Sequence, residues 1–153
     1  MKLTIPAPPE TDGASPEAVD KPSRPAITIH INNIPLLAGV GEATLRNVAG
    51  VLQVRAADRG NRILHKGDAG DYLLFLLSGR LQAVDMTESG CEIGLSFLEA
   101  GDYFGELSII DGMPRSASVI SCEPSMYALL SRLHALELIH NNPLVAERVL
   151  KRF

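Results

Sequence analysis

The chain has 153 residues, of which 46% are hydrophobic and 5% aromatic, which is enough for one domain with a mainly aliphatic core. Its formal net charge of -4 argues against a general nucleic-acid surface, which needs a basic excess, but it allows one arginine to hold one anionic ligand. The two cysteines, Cys91 and Cys122, form no CxxC motif and cannot supply the four thiolates of an iron–sulfur cluster.

The sequence has no pattern of a membrane or secreted protein. No uninterrupted apolar run approaches the roughly 20 residues of a membrane span. The start of the chain breaks into prolines after one short apolar step, which is not the pattern of a signal peptide. We therefore expect a cytoplasmic protein that binds no membrane.

Residues 1–26 differ from the rest of the chain in composition. They contain six of the ten prolines and no aromatic residue. Such a segment buries too little apolar surface to offset its ordering entropy, so the sequence predicts a flexible, proline-rich tail here. A proline-rich docking segment is the alternative. The predicted domain occupies residues 27–153.

The domain begins with one extended and one helical pattern. Residues 27–33, ITIHINN, alternate between apolar and polar types and predict a short strand or an ordered lead-in. Residues 41–53 predict a helix, because Leu45, Val48, Ala49 and Leu52 repeat at spacings of three and four.

The middle of the chain has the pattern of a β-protein. Glycines at 60, 70, 79, 90, 101 and 112 recur every 9 to 11 residues. Short apolar or alternating runs lie at 62–65, 72–77, 81–86, 92–97, 116–121 and 125–130. This interval predicts an antiparallel sandwich or barrel of about eight strands. The segments GDAGD, LSGR and ESG are predicted hairpin turns.

After Ser131 the apolar period is helical again. The segment RLHALELIH predicts one helix, and Asn-Asn-Pro at 141–143 ends it and starts a second, since proline suits a first helical turn. The apolar residues of this last helix have two possible partners. They either form a homodimer interface or pack on the barrel of their own chain; they are Leu144, Val145, Val149 and Leu150.

The segment FGELSIIDGMPRSASV, residues 104–119, departs from the strand pattern. Its first half has helical spacing, and a short helical turn there would present free backbone N–H groups to an anion. Gly105 lets a ligand approach the backbone closely, and Arg115 can grip a phosphate through two parallel hydrogen bonds. Glu106 repels phosphate and would instead face a hydroxyl group. The two charges together fit a sugar phosphate or a nucleotide.

Two alternatives to a nucleotide site stay open. Glu106 and Arg115 could pair with each other across a surface turn, an interaction that is common and contributes little. A metal enzyme on a related barrel would need histidines clustered on strands. The four histidines are scattered instead, and only His65 lies among predicted strands; the others are His30, His134 and His140.

The same segment resembles the phosphate-binding cassette of cyclic-nucleotide-binding domains. That cassette reads F-G-E, an apolar and a small residue, several variable positions, then P-R, two small residues and an apolar one. The upstream segment RGNRILHKGDAGDYLLFLLSGRLQAV also resembles this family, and the resemblance extends from about residue 34 to about residue 150. It implies that residues 27–153 form a cyclic-nucleotide-binding domain, an antiparallel jelly-roll β-barrel flanked by N- and C-terminal helices.

The resemblance also implies a set of ligand-binding residues. They are Gly105, Glu106, Leu107, Ser108, Arg115, Ser116 and Ala117. Glu106, with the backbone of Gly105, would accept a hydrogen bond from the ribose 2′-hydroxyl, and Arg115 would neutralise the cyclic phosphate. The backbone N–H groups of Ser108 and Ser116 would donate to phosphate oxygens.

Two further expectations concern side chains of this set. Leu107 would pack beneath the ligand as part of a conformational switch. Ala117 is small enough to leave room for the ligand. We expect the fold itself not to depend on Arg115, since an unpaired cation beside the barrel wall contributes little to stability.

The function implied by the resemblance is non-catalytic. The chain would be a regulatory sensor that binds a cyclic nucleotide, cAMP or else cGMP, without a metal or cofactor, and acts on a downstream protein of unknown identity. The alternative is the effector-binding half of a longer catabolite-activator-type transcription regulator. Its DNA-binding domain would be absent here, because only eleven residues follow Asn142 and no helix-turn-helix fits in them. A third possibility is an interaction module with an empty pocket.

Overall fold

In the computed structural model, the described part of the chain comprises residues 34–151 and the backbone of Lys2–Ile5 and Ile27–His30. Lys2–Ile5 (β1) pairs antiparallel with Ile27–His30 (β2) in a two-stranded ribbon. β2 agrees with the alternating pattern of its segment, whereas β1 lies in the segment predicted as tail. The rest of that predicted tail lies outside the described residues, so the division into tail and domain stays a prediction.

Residues 34–151 form a mainly β structure with helices before and after the strands. The strands are β3 (Gln53–Ala57), β4 (Arg62–Leu64), β5 (Tyr72–Ser78), β6 (Arg80–Met86), β7 (Glu92–Glu99), β8 (Tyr103–Phe104), β9 (Ser118–Ser121) and β10 (Ser125–Ser131). The helices are a 3₁₀ turn (Pro35–Leu37), α1 (Glu42–Val51), α2 (Glu106–Asp111), α3 (Arg132–Asn141) and α4 (Pro143–Leu150). All four predicted helical segments are confirmed.

The eight strands form two four-stranded antiparallel sheets. One has the strand order β3-β10-β5-β8 and the other has the order β4-β9-β6-β7. This arrangement confirms the predicted jelly-roll fold with flanking helices. β3 and β8 were not among the predicted runs, because β3 directly follows a helical pattern and β8 has only two residues.

Only one of the three predicted hairpin turns joins paired strands. The segment ESG connects β6 and β7, which pair with each other. The segments GDAGD and LSGR were wrongly predicted as hairpins, since each connects a strand of one sheet to a strand of the other. Gly79 in the second segment has a φ of 91°, which only glycine adopts readily, and the chain changes sheet at that residue.

β5 is the central element of the core because it is buried on both faces. Leu73 and Phe75 belong to the cluster that the sheet shares with the helices, whereas Leu74 and Leu76 belong to a second cluster with residues of the other sheet. All four side chains are 0% exposed. A strand covered on both sides is continuously apolar, which explains the uninterrupted run in the sequence.

α4 packs on the domain of its own chain. Val145 and Val149 are buried in the cluster on the helical side of the first sheet. The side chain of Arg148 also fixes the helix, since Nη1 donates to the carbonyl oxygens of Leu36 at 3.0 Å and Ala38 at 2.5 Å. Half of the apolar face predicted for this helix is therefore used internally. A homodimer through its exposed residues stays a prediction.

Among the described residues, no helix is both long enough and apolar enough to cross a membrane. The longest helices there, α1 and α3, have 10 residues each.

Candidate functional site

A cavity of about 490 Å³ lies beside α2 and the loop that leads into β9. All seven residues that the sequence analysis singled out line it: Gly105, Glu106, Leu107, Ser108, Arg115, Ser116 and Ala117. The remaining wall comes from β4 and from β6 to β9, and much of it is apolar, including Leu64, Ala83, Leu95 and Val119. The fold thus brings one cation, two carboxylates (Glu106 and Asp102) and an apolar surface to a single cavity.

Gly105 makes the turn between β8 and α2. Its φ of 84° lies in the left-handed region, where a side chain would be strained. A Cβ atom at this position would also lie 2.4 Å from Nη1 of Arg115. The left-handed φ favours glycine, and the guanidinium of Arg115 lies directly against this residue. Arg115 itself therefore makes the close approach that the sequence predicted for a ligand. The first N–H groups of α2, which follows directly, have no acceptor within the helix.

Arg115 is buried, with 5% of its surface exposed, and its side chain is held by backbone carbonyl groups. Nη1 donates to the carbonyl oxygen of Gly105 at 2.8 Å, and Nη2 donates to that of Tyr72 at 2.7 Å. Each Nη atom therefore uses one of its two N–H groups on a backbone carbonyl, which fixes the direction of the guanidinium. Removing Arg115 would take away the hydrogen bonds that it donates to these two carbonyl groups. We therefore correct the prediction that the fold does not depend on Arg115, and expect the protein to lose stability without it.

The Nε atom of Arg115 is buried and has no hydrogen-bond partner among the described residues. A buried donor without a partner is rare and calls for a specific explanation. Burial lowers the pKa of Arg115, whereas the charges of Asp71 and Glu106 act in the opposite direction and raise it. An arginine stays charged despite such a shift. The site therefore holds a desolvated cation that lines the cavity and has donors that the protein does not use.

Glu106 is the first residue of α2 and is partly exposed on the cavity lining. The simple alternative of an exposed surface pair with Arg115 does not describe this arrangement. Arg115 is buried, both of its Nη atoms donate to carbonyl groups, and Glu106 influences it through charge. A carboxylate acceptor and a guanidinium donor at different places on one cavity can bind two different groups of one ligand.

The loop between β4 and β5 was predicted as a hairpin turn and not as part of the site. The N–H of Gly67 donates to the carbonyl oxygen of Arg115 at 2.9 Å, and the N–H of Arg115 donates to that of Asp68 at 2.8 Å. Such backbone contacts between distant segments leave no signature in residue types. The apolar wall, which includes exposed Leu95 on β7, was not predicted either.

The described residues contain no group of three or more histidine, cysteine, aspartate or glutamate side chains that could hold a metal ion. His134 instead makes a local hydrogen bond at the start of α3, where its Nδ1 lies 2.7 Å from Oγ of Ser131.

A jelly-roll domain with a buried arginine, a carboxylate and a short helix at one cavity defines a class of nucleotide-binding regulatory domains. The model of the cyclic nucleotide-binding domain family matches residues 54–142. This range includes both four-stranded sheets except Gln53, and the whole cavity lining. The chain therefore belongs to the cyclic nucleotide-binding domain family.

Curated relatives are regulatory proteins of several kinds. The chain is 36% identical over 89 residues to the cAMP-dependent protein kinase type II regulatory subunit of Drosophila melanogaster, covering 58% of this chain and 23% of that protein. It is 32% identical over 115 residues to the cyclic AMP receptor protein of Thermus thermophilus, covering 75% of this chain and 53% of that protein. The chain thus spans from about a quarter to about half the length of these two relatives.

Solved structures of regulatory proteins have a similar fold. The catabolite activator protein of Thermus thermophilus superimposes with a TM-score of 0.68 at 32% identity, covering 76% of this chain and 55% of that one. The regulatory domain of Toxoplasma gondii PKA, crystallised with cAMP, superimposes with a TM-score of 0.71 at 26% identity, covering 79% of this chain and 46% of that one.

Proposed function

We propose that this chain binds a cyclic nucleotide, cAMP, reversibly and without catalysis, and that it works as a regulatory sensor. The observation that carries the proposal is the buried Arg115, which has an unpartnered Nε and lines the same cavity as Glu106. A cyclic nucleotide offers one anion and one ribose hydroxyl, which match these two side chains. Membership of the family supports this assignment.

In the proposed complex, Arg115 neutralises the cyclic phosphate and Glu106 accepts a hydrogen bond from the ribose 2′-hydroxyl. The backbone N–H groups of Ser108 and Ser116 donate to phosphate oxygens, and the backbone of Gly105 assists Glu106. Each Nη atom still carries a second N–H besides the one that it donates to a carbonyl oxygen, and Nε has no partner. We assign the phosphate contact to these remaining donors of the guanidinium.

The apolar part of the cavity suits the base. Leu64, Ala83, Leu95 and Val119 offer a surface that a purine can cover without having to satisfy many polar atoms. The preference for cAMP over cGMP is the finer part of the proposal, and it rests on relatives that are named for cAMP. Leu107, which is 43% exposed at the cavity, is the side chain whose packing we expect to change on binding.

As a sensor, the domain needs two arrangements that the ligand binds with different affinity, since binding shifts an equilibrium only by that difference. We propose a downstream protein as its partner, a cytoplasmic location, and no membrane or nucleic-acid contact through this chain. A homodimer through the exposed side of α4 is a further possibility of this proposal.

A second candidate function is that of the effector-binding part of a longer catabolite-activator-type transcription regulator. The similarity to 53% of the Thermus thermophilus receptor favours it. The intact mass of the protein isolated from its source cells tests this candidate. A longer product that binds DNA in a cAMP-dependent manner supports it, and a product of the mass of this chain excludes it.

Calorimetric titration of the chain with cAMP, cGMP and 5′-AMP tests the proposed function. We expect saturable binding of cAMP, weaker binding of cGMP, and a large loss of affinity for 5′-AMP, whose phosphate carries an additional charge and is not cyclic. Absence of binding by both cyclic nucleotides contradicts the proposal and favours an interaction module with an empty pocket.

A further inference from the structure

The loop between β4 and β5, residues 65–71, contacts both Arg115 and α2, the two parts of the site that we assign to the phosphate. It holds the backbone of Arg115 through the two hydrogen bonds of Gly67 and Asp68, and Tyr72 directly after it accepts from the arginine side chain. None of these loop residues was among the predicted ligand-binding residues. The position of Arg115 is therefore set largely by this loop.

Gly70 in the same loop lies against α2. It is buried, and a Cβ atom at this position would lie 2.0 Å from Cβ, 2.7 Å from Oγ and 3.3 Å from Cα of Ser108. Rotation of the serine side chain cannot relieve the shortest of these contacts, because the backbone fixes the position of Cβ. Ser108 is itself only 4% exposed. α2 can therefore come this close to the loop only because residue 70 has no side chain.

We propose that Gly70 is a positioning residue, whose contact with Ser108 sets the distance between the first turn of α2 and Arg115. The loop acts as a spacer that touches both elements, so the backbone N–H of Ser108 and the guanidinium reach the same phosphate group. This inference rests on the proposed function, since it explains how the Ser108 N–H and the Arg115 guanidinium are placed so that both can bind one phosphate.

Substitution of Gly70 by alanine tests the spacer. The added methyl group has to push α2 away from the loop by on the order of 1 Å, and we expect the affinity for cAMP to fall about tenfold or more as the phosphate contacts lose their alignment. A second substitution, Ser108→Gly, removes the Cβ atom that collides and should restore most of the lost affinity. Ser108→Ala keeps that atom and should not restore it.

The contrast between the two double variants separates a spacer from a general loss of structure. Both remove the Ser108 hydroxyl, and they differ only in the Cβ atom. Ser108→Gly alone reports the cost of the added backbone freedom. Gly50→Ala is a matched control for glycine replacement, because a Cβ atom there meets nothing within 4 Å, and it should leave cAMP affinity unchanged.

The titrations are run on the full chain together with melting curves. If Gly70→Ala does not fold, restoration of the fold by Ser108→Gly and not by Ser108→Ala supports the same contact, and failure of both to restore it overturns the inference. A parent chain that binds cAMP and a folded Gly70→Ala variant that binds it equally well overturn the spacer alone. A parent chain that binds no cyclic nucleotide overturns the proposed function, and the spacer with it.

Discussion

Arginine and glutamate occur both in the cavity and on the surface of the sheet β4-β9-β6-β7, but the cavity arginine is buried whereas the surface arginine is exposed. Arg115 is 5% exposed and donates to two neutral carbonyl groups. The side chain of Arg80 on β6 is 44% exposed, and its Nε lies 3.0 Å from Oε1 of Glu99. The guanidinium of Arg80 also lies 3.9 Å from the centre of the Phe97 ring.

This contrast shows why ion pairing is a poor guide to the functional arginine. Three ion pairs lie on this sheet or link it to the loop after β4: Arg62–Glu92, Lys66–Asp85 and Arg80–Glu99, at 3.3, 2.7 and 3.0 Å. Water screens such pairs, so each contributes little to stability. Arg115 has lost most of its water and retains an unused donor, so it gains much more from an anion than the exposed arginines do.

The largest expected effect comes from removing Arg115. Arg115→Ala should lower cAMP affinity by roughly thirtyfold to several thousandfold, because losing one side of a desolvated charge pair costs about 2–5 kcal/mol. The same variant should also reduce the free energy of unfolding by about 1–3 kcal/mol, since the carbonyl groups of Gly105 and Tyr72 lose their donors. Titration calorimetry and melting curves measure the two effects.

Arg115→Lys serves as the charge-conserving comparison. Its ammonium group cannot reach two carbonyl groups and a phosphate in fixed directions, so the loss of affinity should be nearly as large as for Arg115→Ala. Tight cAMP binding by both variants would show that the phosphate is held elsewhere.

Glu106→Gln should have a smaller effect on the same binding. The amide oxygen still accepts a hydrogen bond from the ribose hydroxyl, but a hydrogen bond to a charged group is stronger by about 1 kcal/mol, so we expect about a fivefold loss of cAMP affinity. The matched control is Glu99→Gln on the sheet surface, which should leave the affinity unchanged. Equal losses in both variants would mean that overall charge, and not a contact in the cavity, sets the affinity.

Arg80→Ala should change only stability. The exposed ion pair should contribute about 1 kcal/mol or less, and the contact with Phe97 about 0.5–1 kcal/mol more. Nucleotide affinity should stay the same. A double-mutant cycle with Glu99→Ala in urea unfolding isolates the ion pair. A coupling energy well above about 1 kcal/mol would show that this surface is less screened than its exposure indicates.

The smallest expected effect is the pH dependence from Asp85. Its hydrogen bonds with Lys66 and with the N–H of Met86 lower the pKa of this carboxyl below the ordinary value of 3.8. A group whose pKa is lowered by folding stabilises the protein above its unfolded pKa and loses that contribution as the pH falls through its folded pKa. The contribution should therefore fade only below about pH 4. Comparing the acid unfolding curves of the parent and of Asp85→Asn measures this contribution. Identical curves would show that the Lys66–Asp85 pair does not contribute to stability.

Sequence patterns predicted most of the fold because the signals are local. Apolar periodicity identified α1, α3 and α4, and glycine spacing together with short apolar runs identified six of the eight strands in the two sheets. The errors arose where pairing decides the outcome. The GDAGD and LSGR segments have the residues of hairpin turns, yet they connect different sheets, because β5 pairs with β8 and β10 rather than with its neighbours in the chain.

The residues of the candidate site could be predicted from the sequence, since Gly105, Glu106, Arg115 and the small residues around them form one continuous segment with a recognisable spacing. The contacts that hold these residues in place could not be predicted. The two carbonyl acceptors of Arg115, its unpartnered Nε and the contact between Gly70 and Ser108 depend on backbone positions from separate parts of the chain. Such contacts are made mostly by backbone atoms that every residue carries, so residue types do not reveal them before the chain is folded.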